Sequence, residues 1–343
     1  MKVLTLNTWQ KCGPWLKRWE VLFEGIAQYQ PEVIAFQELF DIAWRETVAE
    51  RAGYPYHADP APTSSGLVLL SRLPILASDL YKLSTRSPLE DYHRYLLWAE
   101  IALGERTIHF FNVHLSWHPQ DQATRKAQVR ELWQRMSEKT GADKLLMGDM
   151  NATPDSNEIR LLLKKSNLLD TFAAKNPADS GITWDTENRF TSQQKPHTLD
   201  RRIDYIFASG EDLIKSLSSC RVVLNRPDGF GIFASDHYGV LAEFFPTTRN
   251  GRKTFDQKKI CQQWAARGFS CGTWVDPPGR EWADFIHDTD ELVMVVEGEQ
   301  EFEMNGRRYC PPIGEELLIP AGTRHTARNV GWTPSRWLYG YKL

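Results

Sequence analysis

Six short segments in the first two thirds of the chain place, where a strand is expected to end, a residue able to hold a cation or move a proton. Asn7 follows Leu-Thr-Leu, Glu38 follows Ile-Ala-Phe-Gln, and His114 follows Phe-Asn-Val. Asp149 and Asn151 come after Leu-Leu-Met-Gly, Asp204 follows Arg-Ile, and Asp236-His237 stands between Ser235 and Tyr238. Carboxylate and amide oxygens suit Mg2+, a hard cation that keeps several waters and accepts phosphate oxygens. Such a cation neutralises charge building on a phosphoryl group, while an imidazole backed by a carboxylate orients or deprotonates an attacking water near neutral pH. One His or Asp at a strand end is more often a cap or a satisfied polar group. Six such sites in one region weaken that reading and point to phosphoester hydrolysis.

Those residues need a scaffold that brings many strand tips to one place. Apolar runs at residues 3–6 and 33–36 alternate with helical patterns over 15–29 and 39–51, an α/β rhythm. Extended segments follow at 66–70, 75–83, 95–103 and 107–115, suited to antiparallel neighbours. Pro119 stands where a helix can begin over 120–139, with Val129, Leu132, Trp133 and Met136 as its apolar members and Gly141 past its end. Strand ends of a layered α/β fold are where catalytic groups are exposed. Residues 247–254 are polar and aperiodic, so a linker is expected between a domain at 1–246 and another at 255–343. In the second, short alternating segments at 292–296, 299–304 and 316–319 are punctuated by Pro-Pro-Gly, Asn-Gly and Pro-Ala-Gly and predict a small all-β barrel.

Composition narrows the classes. A chain of 343 residues with 41% hydrophobic content can bury more than one core. A net charge of -3 and a pI near 6.3 argue against a protein that coats nucleic acid through bulk electrostatics. No apolar run reaches the ~18 residues of a membrane span, and the strand-like opening leaves no room for a leader, so a cytoplasmic protein is expected. Cys12, Cys220, Cys261, Cys271 and Cys310 are odd in number, without a CxxC pair or zinc spacing, and are expected as reduced thiols.

The segments Leu-Asn-Thr-Trp, Phe-Gln-Glu-Leu, Asn-Val-His-Leu, Gly-Asp-Met-Asn-Ala-Thr-Pro, Arg-Ile-Asp-Tyr-Ile-Phe and Ser-Asp-His-Tyr-Gly-Val resemble, in order and across residues 1–246, the motifs of the endonuclease/exonuclease/phosphatase family. The resemblance implies an α/β four-layered sandwich, two packed mixed β-sheets flanked by helices, with the cleft at one rim. It makes Glu38 the principal ligand of Mg2+ (or Mn2+), assisted by Asn7, with Asp236 near the metal. Asp149 and Asn151 would position the water and the phosphate, and His114 would contact the scissile phosphate. His237, oriented by Asp204, would be the general base or a phosphate-binding imidazole. Arg94 is open between a phosphate contact and an ordinary surface arginine. Relatives of this fold act on DNA, RNA, inositol phosphates and lipid head groups, so the fold does not choose the phosphate-ester substrate. The passage 188–195, followed by Arg-Arg-Ile-Asp-Tyr, resembles neutral sphingomyelinase-like and general bacterial members more than abasic endonucleases, although no long apolar hairpin is present to dip into a bilayer. Arg201, Arg202, Lys164 and Lys165 are candidates for a nucleic-acid track or for solvated surface.

Near the carboxy terminus, Gly279, Phe285, His287, Glu291 and Gly298, then Gly314, Pro320-Ala-Gly, His325 and Asn329, are spaced like the two motifs of cupins. In the first, Phe285 stands where a metal-binding histidine is usual. His287, Glu291 and His325 still make a 2-His-1-carboxylate set for a divalent transition metal, and equally could line a dry pocket for a small ligand. Trp264, Trp274, Trp282, Trp332 and Trp337 read as core and rim packing. By the same resemblance, a homodimer through the cupin is expected. The leading expectation is a metal-dependent phosphoester hydrolase with the cupin as accessory or sensor. The alternative is a non-enzymatic ligand- or metal-binding cupin protein that uses the large domain as an interaction platform.

Overall fold

Strands whose residues are apolar on both faces must be covered on both sides, and that requirement generates the layers of the first unit. The computed structural model describes residues 1–59, 65–104, 106–141, 143–192, 199–245, 256–330 and 334–343. The chain divides into two compact units, Met1–Thr247 and Thr248–Leu343, and the linker expected at 247–254 lies outside the described residues.

The first unit opens with β1 (Lys2–Asn7), α1 (Trp15–Tyr29), β2 (Val33–Gln37), α2 (Ile42–Ala52), β3 (Tyr56–Ala58) and β4 (Val68–Ser71). It continues with β5 (Ile75–Lys82), β6 (Tyr95–Leu103), β7 (Arg106–His114), α3 (Gln122–Ser137), β8 (Lys144–Asp149), α4 (Asn157–Ser166), β9 (Leu169–Asp170) and α5 (Thr171–Lys175). It ends with β10 (Asp204–Ser209), α6 (Glu211–Ser216), β11 (Leu217–Val223) and β12 (Gly239–Phe244). Two six-stranded sheets result, in the orders β11-β12-β1-β2-β4-β3 and β5-β6-β7-β8-β10-β9. The pairs β1–β2 and β7–β8 are parallel and the other pairs antiparallel, so both sheets are mixed.

Val3, Val33, Ala35, Leu97, Phe110, Leu145 and Ile206 fill the space between the sheets. Trp19, Leu22 and Ile26 of α1 cover the outer face of one sheet, and Val129, Leu132 and Met136 of α3 cover the other. Hence the order is helix, sheet, sheet, helix. Truncating a fully buried ring here, such as Phe110, would cost about 3–5 kcal/mol. The second helix begins three residues later than periodicity predicts, because Asp41 caps it by accepting from the Trp44 amide at 2.8 Å while the Leu39 amide pairs with the Gly66 carbonyl at 3.0 Å.

The second unit adds α7 (Gln257–Ala266), β13 (Gly272–Asp276), β14 (Glu281–Phe285), β15 (Glu291–Glu297), β16 (Gln300–Met304), β17 (Arg307–Tyr309), β18 (Glu316–Ile319), β19 (His325–Asn329) and β20 (Ser335–Tyr341). Its sheets run β13-β20-β15-β18 and β14-β19-β16-β17, with Val293, Val295, Phe302, Ile319 and Trp337 in one core. Helix α7 was not expected; Ile260 and Trp264, one helical turn apart, bury against Leu292 and Leu338. The expectation of reduced thiols is corrected here, since Cys261 and Cys271 form a disulfide that ties α7 to the segment entering β13. Spacing alone could not reveal this pairing, which depends on the helix folding back. Among the described residues no helix is long and apolar enough to cross a membrane.

Candidate active site

Three strand tips of one sheet stand in line. His114 and Asp149 end the parallel strands β7 and β8 opposite one another, and Asp204, which opens the antiparallel β10, lies opposite Asp149. The direction of β10 explains why its acid comes at the start of an apolar run rather than at its end. Gly148 makes the row possible. Its φ is +135°, and a Cβ there would lie 2.0 Å from the Val113 carbonyl oxygen, so only glycine lets β8 approach β7 this closely.

The other sheet supplies the tips of β1 and β2. The Asn7 amide nitrogen donates to Glu38 Oε1 at 3.2 Å and to Asp149 Oδ2 at 3.1 Å, bridging the two sheets. Its amide oxygen accepts from the Trp9 backbone at 3.1 Å. In this rotamer it is therefore the nitrogen of Asn7 that faces the carboxylates. Glu38 and Asn151 both have φ in the left-handed region, +59° and +48°, a strained setting for such residues that clusters at functional sites. The Asn151 amides pair with Asp149 Oδ1 and the Leu115 carbonyl at 2.8 and 3.1 Å.

His237 completes the cluster. Its Nδ1 lies 2.9 Å from Asp204 Oδ2 and its Nε2 lies 3.8 Å from Asp149 Oδ2, while His114 Nε2 lies 3.4 Å from the same oxygen. All four side chains are buried. Because a carboxylate can only accept, His237 carries its proton on Nδ1 and turns Nε2 toward Asp149. Burial opposes charge on His237, but Asp204, Asp236 and Asp149 together outweigh it and hold the imidazole up to about 10. His114 goes the other way, well below its ordinary range, through burial with Arg94 and His237 beside it. Burial, reinforced by the charge of Asp204, lifts Asp149 to about 7. Asp236 is buried next to His237, its Oδ1 3.0 Å from the Ser235 hydroxyl.

This donor set fits a hard divalent cation. Asp149 and Asp204 crowd their oxygens about the His237 ring, the three side chains presenting polar atoms within 4.8 Å of one another, and Asp204 Oδ1 is buried without a hydrogen-bond partner. Several buried carboxylates converging with one imidazolium leave a negative excess that such a cation balances.

Other residues support the cluster without having been singled out from the sequence. Arg18 is fully buried and donates to the carbonyls of Thr8, Trp9, Gln10, Cys12 and Ala234, stitching the loop after β1 to the segment carrying Asp236. Trp184 sets its ring edge against His237 with centroids 4.7 Å apart. Asn188 and Thr191 hold the carbonyls of Ser235 and Asp236; residues 193–195 of that passage lie outside the described residues.

Two surface readings are corrected. Arg94 is 3% exposed, pairs with Glu90 at 2.9 Å and keeps Nη2 buried without a partner, so it is an interior cation beside His114. Arg202 is turned inward to Asp170 at 2.8 Å and cannot join a track with Arg201, Lys164 and Lys165. Arg201 itself is partly buried near Asp149 and Asp204, its ring partner being Trp184.

The second unit holds a cluster of its own. His287 Nε2 and His325 Nε2 lie 3.4 and 3.3 Å from Glu291 Oε2, which is buried without a hydrogen-bond partner. The trio opens on a cavity of about 130 Å3 walled by aromatic rings, including Trp282 and Tyr341. Phe285 carries no donor and lies with its ring 5.8 and 6.0 Å from the two imidazoles. Ligand atoms within 4.8 Å of one another suit a transition metal on imidazole and carboxylate.

A family model described as "Endonuclease/Exonuclease/phosphatase family" matches residues 16–237, and one described as "Cupin domain" matches residues 272–341. A protein described as "Putative neutral sphingomyelinase" from Drosophila melanogaster is 25% identical over 279 residues, covering 71% of this chain. The chain spans 60% of that relative's length. Among solved structures, TDP2 of D. rerio complexed with a single-strand DNA product superposes with a TM-score of 0.61 at 20% identity, covering 71% of this chain and 98% of that one. A variant of beta toxin from Staphylococcus aureus with bound magnesium ions gives 0.58 at 17% identity, covering 71% and 99%. These structures share the fold.

Proposed function

This chain belongs to the endonuclease/exonuclease/phosphatase family, its carboxy-terminal unit being a cupin, and from that membership we propose that it is a metal-dependent phosphoric ester hydrolase. The observation that carries the reading is the buried Asp204–His237–Asp149 row joined through Asn7 to Glu38.

Glu38 would hold the cation, with Asn7 and Asp236 beside it. Bound there, Mg2+ (or Mn2+) would neutralise the phosphoryl oxygens and ease departure of the leaving oxygen. Asp149, fixed by the Asn7 amide and the Asn151 backbone, would orient the attacking water and take its proton as it attacks phosphorus. His237, its ring fixed by Asp204, would bind a phosphoryl oxygen or serve as the general base. His114 approaches the same phosphate from the other side of Asp149, and Asn151 orients it. In the cupin, His287, Glu291 and His325 would hold a divalent transition metal.

The substrate is a phosphate ester of nucleic acid or of a lipid head group. The sphingomyelinase relative and the DNA-bound neighbour support these two classes. The test is turnover of bis-p-nitrophenyl phosphate and p-nitrophenyl phosphate with Mg2+, with Mn2+ and with EDTA, alongside His237→Ala. Metal-dependent hydrolysis lost in the variant is expected. No turnover by folded protein under any metal would favour the non-enzymatic alternative.

A further inference from the structure

The cupin cluster lacks its customary first histidine, yet a fourth donor reaches it from a strand that neither cupin-like motif includes. Tyr341, in β20, pairs directly opposite Glu291 of β15, so both side chains rise from the same face of the sheet into the cavity. Its Oη lies 3.5 Å from His287 Nε2, with ring centroids 4.7 Å apart. We propose that Tyr341 takes the place left by Phe285, so that the cavity holds one transition-metal ion on His287 Nε2, Glu291 Oε2, His325 Nε2 and Tyr341 Oη. The proposal rests on reading His287, Glu291 and His325 as a metal set and does not depend on the hydrolase in the first unit.

Spacing supports it. Donors about 2.0–2.2 Å from a metal in tetrahedral arrangement lie about 3.3–3.6 Å from one another. The separations here are 3.4 Å for His287–Glu291, 3.3 Å for His325–Glu291 and 3.5 Å for His287–Tyr341. The hydrogen-bond inventory points the same way. His325 Nδ1 lies 3.0 Å from the Thr323 carbonyl, an acceptor only, which fixes the ring with Nε2 turned toward the Glu291 carboxylate. Glu291 Oε2 is buried and receives no hydrogen bond, a costly arrangement that a cation between the donors removes.

Two imidazoles with carboxylate and phenolate oxygens suit a borderline transition-metal ion rather than one that seeks thiolates, and Fe3+ or Cu2+ serves as the spectroscopic probe of the site. On binding, the phenol proton passes to solvent and the oxygen's lone pair forms the metal bond. A phenolate on either ion produces a charge-transfer band in the visible, which nitrogen and carboxylate donors alone do not.

The test uses the full chain, stripped with EDTA, returned to excess Mg2+ to keep the amino-terminal site filled, and titrated with Cu2+ or with ferric nitrilotriacetate. Expected are one equivalent bound, a visible band, and tyrosinate ring vibrations in the resonance Raman spectrum. Tyr341→Phe should lose the band and weaken binding tenfold or more, and His325→Ala should abolish binding. Metal bound by wild type without the tyrosinate signature overturns the proposal, as does a folded Tyr341→Phe that keeps it, or wild type that binds no better than His325→Ala. Should Tyr341→Phe fail to fold, the wild-type spectrum decides alone. Phosphodiester hydrolysis in the same preparations reports on the first unit, so its absence would count against the hydrolase and not against this site.

Discussion

His237 shows how a single residue is set by what surrounds it. Asp204 holds its ring at 2.9 Å, so Asp204→Asn keeps the shape but removes the carboxylate charge beside it. We expect kcat on bis-p-nitrophenyl phosphate to fall about a hundredfold or more with a small change in KM. Activity within twofold of wild type would remove Asp204 from the mechanism. Arg94 makes the complementary point about stability. Its partner Glu90 is buried, so Arg94→Met strands a carboxylate and should lower unfolding free energy by about 3–5 kcal/mol in urea titration, with Glu90→Gln recovering part of the loss. Additive effects of the two changes would refute the pairing. The residues at strand tips were readable in sequence because an acid or imidazole ending an apolar run is conspicuous. Arg18, Arg94 and Trp184 were not, since an arginine or tryptophan between polar neighbours looks the same whether it faces water or a carboxylate.

At the scale of elements, the site is a matter of register. His114, Asp149 and Asp204 align only because β7, β8 and β10 pair in one sheet with Gly148 allowing the approach. Gly148→Ala should leave little folded protein, read by near-ultraviolet circular dichroism and yield; a folded variant with native spectrum would contradict the close approach. Periodicity marked out α1, α2 and α3 and the strands β1, β2 and β4 to β7, with the start of α2 decided by its Asp41 cap, whereas α4, α5, α6 and α7 were not anticipated. The disulfide belongs to this scale as well. Under denaturing, non-reducing conditions three of the five cysteines should react with a thiol reagent, and all five after reduction. Closing a short loop between residues 261 and 271 should stabilise the second unit by about 2–3 kcal/mol. Five reactive thiols without reductant would exclude the bond.

For the molecule as a whole, the two units have separate cores, and each should respond to its own ligand. Mg2+ at about a hundred times its Kd should stabilise the first unit by about 2.7 kcal/mol, seen in calorimetry as a shift of one transition that EDTA reverses. A Mg2+-independent profile would argue against a preformed cation site. The presence of two domains, their classes and the acids, amides and imidazoles at strand tips were determined by the sequence alone, because composition, turn chemistry and hydrophobic period are local properties of the chain. Tertiary structure alone decided that Arg94 is an interior cation, that Arg202 turns away from any surface track, that Cys261 meets Cys271, and that Tyr341 stands beside His287, 54 residues earlier. Each of these depends on which side chains meet across strands and loops distant in sequence, and that is set by packing and register rather than by neighbours along the chain.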